Sequence, residues 1–329
     1  MQTEPIEASK TIPAIPIPKQ ADAILQLEEV HKFYGSFHAV QGVSFSLQRG
    51  QIYGFLGPNG AGKTTTIRMI LDIIRPSSGS IRILGSDSVM NVRNRVGYLP
   101  EEKGLYKKMK AWSVIAYFAS LKGLSRTQAR QRAYELLERY GLKDFAEKPT
   151  EALSKGMGQK VQVLASIAHE PEFVILDEPF SGLDPVNQEV MEQIIRDLAG
   201  RGSTILFSTH VMQHAERLCE KILLIARGKK LFDGTVAQAK ALLGRRVFIE
   251  TEESLEAVRL MPMVSAVQEV DRGGRKWELH LKDGADPQEI LQKCFESGVR
   301  LRSFVLEEPT LHEVFMKLVG PEAKEASFR

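Results

Sequence analysis

The run Gly57-Pro58-Asn59-Gly60-Ala61-Gly62-Lys63-Thr64 sets glycines, a lysine and a hydroxyl where a chain of phosphates could be gripped. It fits the spacing G-x-x-x-x-G-K-[ST]. A triphosphate carries dense negative charge that few side chains could neutralise at such close range. Backbone N–H groups can surround it if the chain curls, and curling favours residues without a Cβ, which accounts for Gly57, Gly60 and Gly62. Lys63 would reach the terminal phosphates, and Thr64 or its neighbour Thr65 would hold Mg²⁺. Pro58, Asn59 and Ala61 complete the nucleotide-binding run.

A second chemical group is Asp177-Glu178, which closes the apolar stretch Phe173-Val174-Ile175-Leu176. In parallel α/β sheets ligands bind outside the carboxyl ends of strands. Acids placed there, beside a phosphate loop, suggest Mg²⁺ binding by Asp177 and water activation by Glu178. Ser154, in Leu153-Ser154-Lys155-Gly156-Met157, stands at the start of a helical pattern. It reads as an N-cap, or as a second anion site with hydroxyl and N–H groups aimed at phosphate. Ser181-Gly182-Leu183-Asp184-Pro185 begins another helix, with Asp184 as N-cap and Pro185 at the first position. His210 and His214 stand at i, i+4, a spacing that can bind metal, but no carboxylate or cysteine pattern completes a zinc site.

The elements that must position these groups are legible from periodicity. Residues 52–56 are short and apolar, as a buried strand would be, and Ile67, Ile70, Leu71 and Ile74 recur at helical spacing after the loop. A helix opening at Lys63 would point its positive end at the phosphates. Alternation predicts strands over 24–30, 43–47 and 80–84, with His31-Lys32-Phe33-Tyr34-Gly35 between the first two. Tyr34 could stack on an adenine. Residues 95–102 read as strand then loop, and 105–140 as helical. Ser125-Arg126-Thr127-Gln128 is a capping-box candidate there, and Gly141 a C-cap. Buried strands are predicted over 173–178 and 204–207, with further strands flanking Gly228.

Past residue 245 the pattern changes to strand 247–250, helix 255–260, strands 264–270 and 277–281, helix 287–296, strand 300–306 and helix 311–319. The order β-α-β-β-α-β suits a ferredoxin-like unit, and no cluster of chemical groups stands out in it. The expected division is a tail over 1–22, rich in Pro-Ile alternation, a phosphate-loop domain over 23–243 with a helical subdomain near 105–170, an accessory α+β domain over 244–320, and a tail over 321–329.

With 329 residues, 43% hydrophobic and 26% charged, the chain can bury two sizeable cores. A net charge of +3 is too mild to argue for nucleic acid. No apolar run approaches the ~18 residues of a membrane span, and MQTEPIEASK has no secretory h-region. Cys219 and Cys294 read as two reduced thiols of a cytosolic chain.

Taken together, the set resembles the ATP-binding subunit of an ABC transporter over about residues 23–243. The likeness is nearest to bacterial exporter ATPases of the sodium- and drug-efflux kind, which share the Tyr98-Leu99-Pro100-Glu101-Glu102 segment, the Leu153–Met157 sequence and a small C-terminal domain. The resemblance implies a P-loop NTPase fold of the ABC type, with a mainly parallel core sheet, an antiparallel subdomain and a helical subdomain. It implies that Tyr34 stacks adenine, that Glu101 falls at the Q-loop as a Mg²⁺ ligand, and that His210 is the switch histidine touching the γ-phosphate. Residues 154–157 would be a signature acting on ATP held by a second subunit, and Ser181, Gly182, Leu183 and Asp184 the D-loop. ATP and Mg²⁺ would be the cofactors. A head-to-tail homodimer and separate membrane-spanning permease subunits would be the partners, and the location would be the cytoplasmic face of the membrane, without nucleic acid.

Two departures qualify the likeness. The Q-loop has Glu101 where the family usually has glutamine. The signature has Lys155 for glycine and Met157 for glutamine, followed by Gly158, a poor helix former for which no physical reason is found. Two other readings stay open: an ABC-type ATPase acting on ribosomes or DNA, disfavoured by a single motif set without sustained heptads, and a nucleotide-gated module that does not hydrolyse, against which Glu178 and His210 argue. A GTPase is disfavoured because no Asn-Lys-x-Asp motif occurs.

Overall fold

The computed structural model describes residues 23–102, 104, 106–271, 275–282 and 284–320. The expected tails over 1–22 and 321–329 lie outside the described residues. The chain opens with strands β1 (Ala23–Tyr34) and β2 (Phe37–Gln48), paired antiparallel, and β4 (Ser78–Ile83) lies on the other side of β1. Both hairpin strands run longer than their alternation predicts. The register slips between Leu27 and Phe33, and this irregularity hides the period of two.

The central sheet holds six strands: β3 (Ile52–Leu56), β5 (Val96–Leu99), β6 (Phe173–Asp177), β7 (Thr204–Thr209), β8 (Lys221–Ala226) and β9 (Lys229–Thr235). Their order is β5-β6-β7-β3-β8-β9, parallel except for β9. The inner strands β6, β7, β3 and β8 are almost wholly buried because both faces are covered, whereas the edge strand β9 exposes Lys229 and Lys230. Phe55, Ile175, Leu206 and Leu223 face the antiparallel sheet and helix α1 (Lys63–Ile70). Leu56, Leu176, Phe207 and Leu224 point to the opposite face. There they pack with α2 (Ala111–Leu121), α3 (Arg126–Arg139), α4 (Lys155–Ile167), α5 (Pro185–Gly200) and α6 (Met212–Leu218).

Helix α1 is shorter than its apolar spacing suggests, since Asp72 takes a left-handed backbone at φ +56° just past it. Of the helical stretch expected over 105–140, residue 105 lies outside the described residues, 106–110 are not helical, and the rest is two helices. Gly123 at φ +107° ends the first, and Ser125 caps the second through a reciprocal box with Gln128.

A short α7 (Val236–Ala241) leads into β10 (Arg246–Glu250), α8 (Glu256–Arg259), β11 (Val264–Glu269), β12 (Lys276–Leu281), α9 (Pro287–Glu296), β13 (Ser303–Glu307) and α10 (Leu311–Val319). The four strands form an antiparallel sheet in the order β11-β12-β10-β13, the ferredoxin-like arrangement. Val247, Ile249, Leu279, Ile290 and the buried thiol of Cys294 make its own core. The last helix does not join that core. Leu311, Val314 and Phe315 are buried with the α6 side of the central sheet.

Candidate functional site

The carboxyl ends of β3, β6 and β7 converge on one rim. Gly57 follows β3 and donates its N–H to the Thr209 carbonyl at 3.3 Å. A Cβ on Gly57 would lie 2.2 Å from the Ile225 carbonyl, so no larger residue fits. Gly62 caps α1 at φ +102°, a conformation that favours glycine, and a Cβ there would meet the Ala39 carbonyl at 2.8 Å. Lys63 is buried at the head of α1. Its ammonium donates to the carbonyls of Gly57 at 2.7 Å and Pro58 at 3.2 Å, and lies 3.4 Å from Glu178 Oε1. Thr65 is half-buried on the same helix, and Pro58, Asn59 and Gly60 are exposed along the loop while Ala61 is buried.

At the end of β6 two carboxylates are sunk into the protein. Asp177 Oδ1 accepts from the Ser208 hydroxyl at 2.5 Å and from the Thr64 hydroxyl at 3.4 Å. Its Oδ2 is buried with no hydrogen-bond partner among the described residues. Burial raises the Asp177 pKa, with the neighbouring Glu178 charge adding to it, while the Ser208 and Thr64 hydroxyls and Lys63 oppose. Glu178 sits at φ +49°, in the left-handed region. Its N–H donates to Ser208 at both the carbonyl, 3.2 Å, and the hydroxyl, 3.0 Å. Glu178 Oε2 is 3.0 Å from His210 Nδ1, while Oε1 faces Lys63 without a hydrogen bond. Lys63, Asp177, Glu178 and His210 are therefore one cluster drawn from three strand ends.

Ser208 is the member that sequence reasoning missed. It fixes both Asp177 and Glu178, and its only trace was a hydroxyl ending an apolar strand just ahead of His210. His210 and His214 do not share a ligand position: His210 turns to Glu178, whereas His214 stacks on Phe180 at 4.0 Å.

An unpartnered buried carboxylate oxygen beside a hydroxyl is a donor set for a hard, oxygen-seeking cation, so Asp177 and Thr64 fit Mg²⁺. Glu101 is exposed past the end of β5, which pairs with β6 at Leu99 and Leu176. The adjacent Glu102 does more. Its carboxylate lies 3.5 Å from Arg68 of α1, and its carbonyl accepts from Gln162 of α4 at 3.2 Å.

Ser154 caps α4 by accepting from the Met157 N–H at 3.3 Å. The start of α4 packs on the turn after β6. Lys155 lies over Gly182, where a Cβ would come within 2.2 Å of Nζ, and a Cβ on Gly156 would come within 2.6 Å of Asn187. Asp184 caps α5 through the Asn187 N–H at 2.9 Å, which holds its carboxyl below the usual range. Ser181 is exposed and Leu183 buried in the same turn. Tyr34 is half exposed at the hairpin tip with Lys32 above its ring, flanked by the exposed rings of Phe33 and Phe37. The hairpin is tied to the loop through Gly228, which accepts from Gln41 and donates to Ala61.

Comparison with known proteins places the chain in a family. Residues 40–181 match the ABC transporter family, and residues 234–319 match the C-terminal domain of ATP-binding proteins like DrrA1-3. The uncharacterised ABC transporter ATP-binding protein YhaQ of Bacillus subtilis is 39% identical over 298 residues, 90% of this chain and 99% of its own. The chain belongs to the ATP-binding proteins of ABC transporters. The daunorubicin resistance ATP-binding protein DrrA3 of Streptomyces coeruleorubidus is 33% identical over 312 residues, 92% of this chain and 98% of its own. A solved ATP-binding subunit of an ABC transporter superposes with a TM-score of 0.62 at 30% identity, covering 67% of this chain and 92% of that one. As a member of this family the chain binds nucleotide and is an ATPase, forming ADP and phosphate. Among the described residues no helix is long and apolar enough to cross a membrane.

Proposed function

We propose that this ABC ATPase hydrolyses ATP at the β3–β6–β7 rim and drives separate membrane-spanning subunits that export their substrate. The reading of direction is supported by the resistance protein among its relatives. The observation that carries the site assignment is the Glu178 carboxylate, set between Lys63 at 3.4 Å and His210 at 3.0 Å.

ATP enters with its phosphates in the loop of residues 57–64, and Lys63 leaves the Gly57 and Pro58 carbonyls for the β- and γ-phosphates. Thr64 and Asp177, with Glu101 at the rim, would hold Mg²⁺, which would supply charge neutralisation at those phosphates. Tyr34 stacks on the adenine. Glu178 takes the proton of a water whose oxygen bonds to the γ-phosphorus, and the bond to the β,γ-bridging oxygen breaks, its electrons leaving with ADP. His210 holds the γ-phosphate in line with Glu178. Loop amides and Lys63 stabilise the charge on the transferring group, where most phosphoryl-transfer catalysis lies.

Ser154, Lys155, Gly156 and Met157 serve the nucleotide of a second copy, so ATP is the glue of a head-to-tail homodimer with two sandwiched nucleotides. Residues 181–184 lie between the two sites. Hydrolysis removes the contacts that favour the closed dimer, and opening moves the membrane partner. The chain works on the inner face of the membrane through that partner, with residues 23–243 as the ATPase domain and 244–320 as an accessory domain. Glu178→Gln should bind ATP with unchanged affinity and lose turnover by at least about a hundredfold. Unchanged turnover would remove the general-base assignment.

A further inference from the structure

We propose that His214 is a positioning residue for hydrolysis: its ring, stacked on Phe180, holds the Glu178 turn against the helix that follows His210. This rests on the roles given above to Glu178 and His210.

The argument starts from backbone strain. Glu178 is a non-glycine residue at φ +49°, a conformation that persists only where its surroundings over-determine it. Two devices do so here. On one side the Glu178 N–H is bound by Ser208. On the other, the turn that begins at Glu178 closes with the Ser181 N–H donating to the Glu178 carbonyl at 3.1 Å, and Phe180 sits inside that turn.

Phe180 is buried between two rings. Phe207 of β7 meets it edge-on at 5.8 Å, and His214 of α6 lies parallel to it, with centroids 4.0 Å apart and planes 12° apart. The sandwich thus joins the residue two past Glu178 to the residue one helical turn past His210. Any slide of α6 along the rim moves both partners of the Glu178–His210 contact.

The imidazole plane is itself fixed from outside. His214 Nδ1 is 3.2 Å from Arg217 Nη2, so the guanidinium donates and Nδ1 accepts, which puts the ring proton on Nε2. Arg217 in turn lies 2.8 Å from Glu192, a buried carboxylate of α5 that also meets Arg196 at 3.2 Å. Burial, with the Arg217 charge adding, lowers the His214 pKa, while Glu192 opposes. A neutral ring stacks on Phe180 without the cost of a buried charge. A cavity of about 350 Å³ runs from Glu178 and His210 past His214 and Arg217. Truncating His214 would enlarge it and leave one face of Phe180 bare.

The test compares His214→Ala, His214→Phe and His214→Gln with Glu178→Gln, in the full chain. ATP affinity, kcat, KM and melting temperature are measured for each. His214→Ala should lower kcat about ten- to a hundredfold, the cost of a misplaced catalytic group. ATP affinity should stay within about twofold, because Phe180 is buried in the cluster on one face of the central sheet and Ala61 of the phosphate loop in the cluster on the other. His214→Phe restores the stack and should recover kcat to within about threefold, whereas His214→Gln keeps an acceptor for Arg217 without a ring and should not.

A folded His214→Ala protein with wild-type kcat overturns the proposal. So does a glutamine variant that matches the phenylalanine one, which decides the matter even if the alanine variant does not fold. If Glu178→Gln itself keeps full turnover, the underlying site assignment fails instead, and the two failures are told apart.

Discussion

Glu172 sits just before β6, and Asp177 and Glu178 end it, yet the two ends of this one strand treat their acids in opposite ways. Glu172 is 41% exposed and doubly paired, with Arg95 Nη2 at 2.8 Å and Arg49 Nη1 at 2.9 Å. Hydrogen bonds from Arg95 and then Arg49 hold its pKa down at about 2. Asp177 is 1% exposed, one of its oxygens has no partner among the described residues, and burial pushes its pKa up. The first end is settled for stability. The second is left unsettled, and a buried carboxylate without a partner is costly unless something binds it. That difference locates function on the strand without reference to any motif.

The comparison can be attacked at several points. Lys63→Ala removes the cation that the unsettled end relies on, leaving buried Glu178 with the His210 contact alone. Turnover should fall on the order of 10³-fold, checked by phosphate release at saturating ATP. Asp177→Asn should weaken Mg²⁺-dependent ATP binding by at least about tenfold, read by titration with and without the metal. The same variant should raise the melting temperature of the nucleotide-free protein by about 2–4 °C, as roughly 1 kcal/mol would in a domain of this size. The sign follows from linkage. An acid whose pKa is raised on folding holds its proton more tightly when folded, so its penalty is absent below the unfolded pKa and present above the folded one. At neutral pH the asparagine removes that penalty. A destabilised apo variant would show that the carboxylate is satisfied after all.

At the opposite rim His169 lies 3.2 Å from the Val96 carbonyl, and burial, with Lys122 adding, pushes its pKa down to about 4. Such a histidine binds its proton more tightly when unfolded. Stability should therefore be full above about pH 6.5 and decline as the pH falls toward 4. His169→Gln should flatten that decline in a melting series. The smallest effect is expected from Glu172→Gln, at most about 1 kcal/mol of stability, since exposed ion pairs are worth little and are screened by salt.

Much of this was legible in the sequence. The loop of residues 57–64, the apolar strand ending in Asp177-Glu178 and the cap at Asp184 each obey a local rule, and the β-α-β-β-α-β order of the last part was readable from periods of two and 3.6 alone. What escaped had non-local causes. The extra length of β1 and β2 is hidden by a register slip that only pairing reveals. The placement of α10 on the α6 side follows from Leu311, Val314 and Phe315 finding a partner surface far away in sequence. Ser208 and the Phe180–His214 stack join residues some thirty positions apart, and no spacing along the chain announces them. Gly158 lines a cavity of about 430 Å³ beside Ser154 and Lys155, and nothing among the described residues explains its presence.

The most direct measurement is ATP turnover of Glu178→Gln and Glu172→Gln, side by side in one assay with ATP binding measured on the same samples. The account predicts a loss of at least about a hundredfold for the first and a rate within about twofold of the parent for the second, with ATP bound normally by both. Equal losses, or a fully active Glu178→Gln, would contradict it.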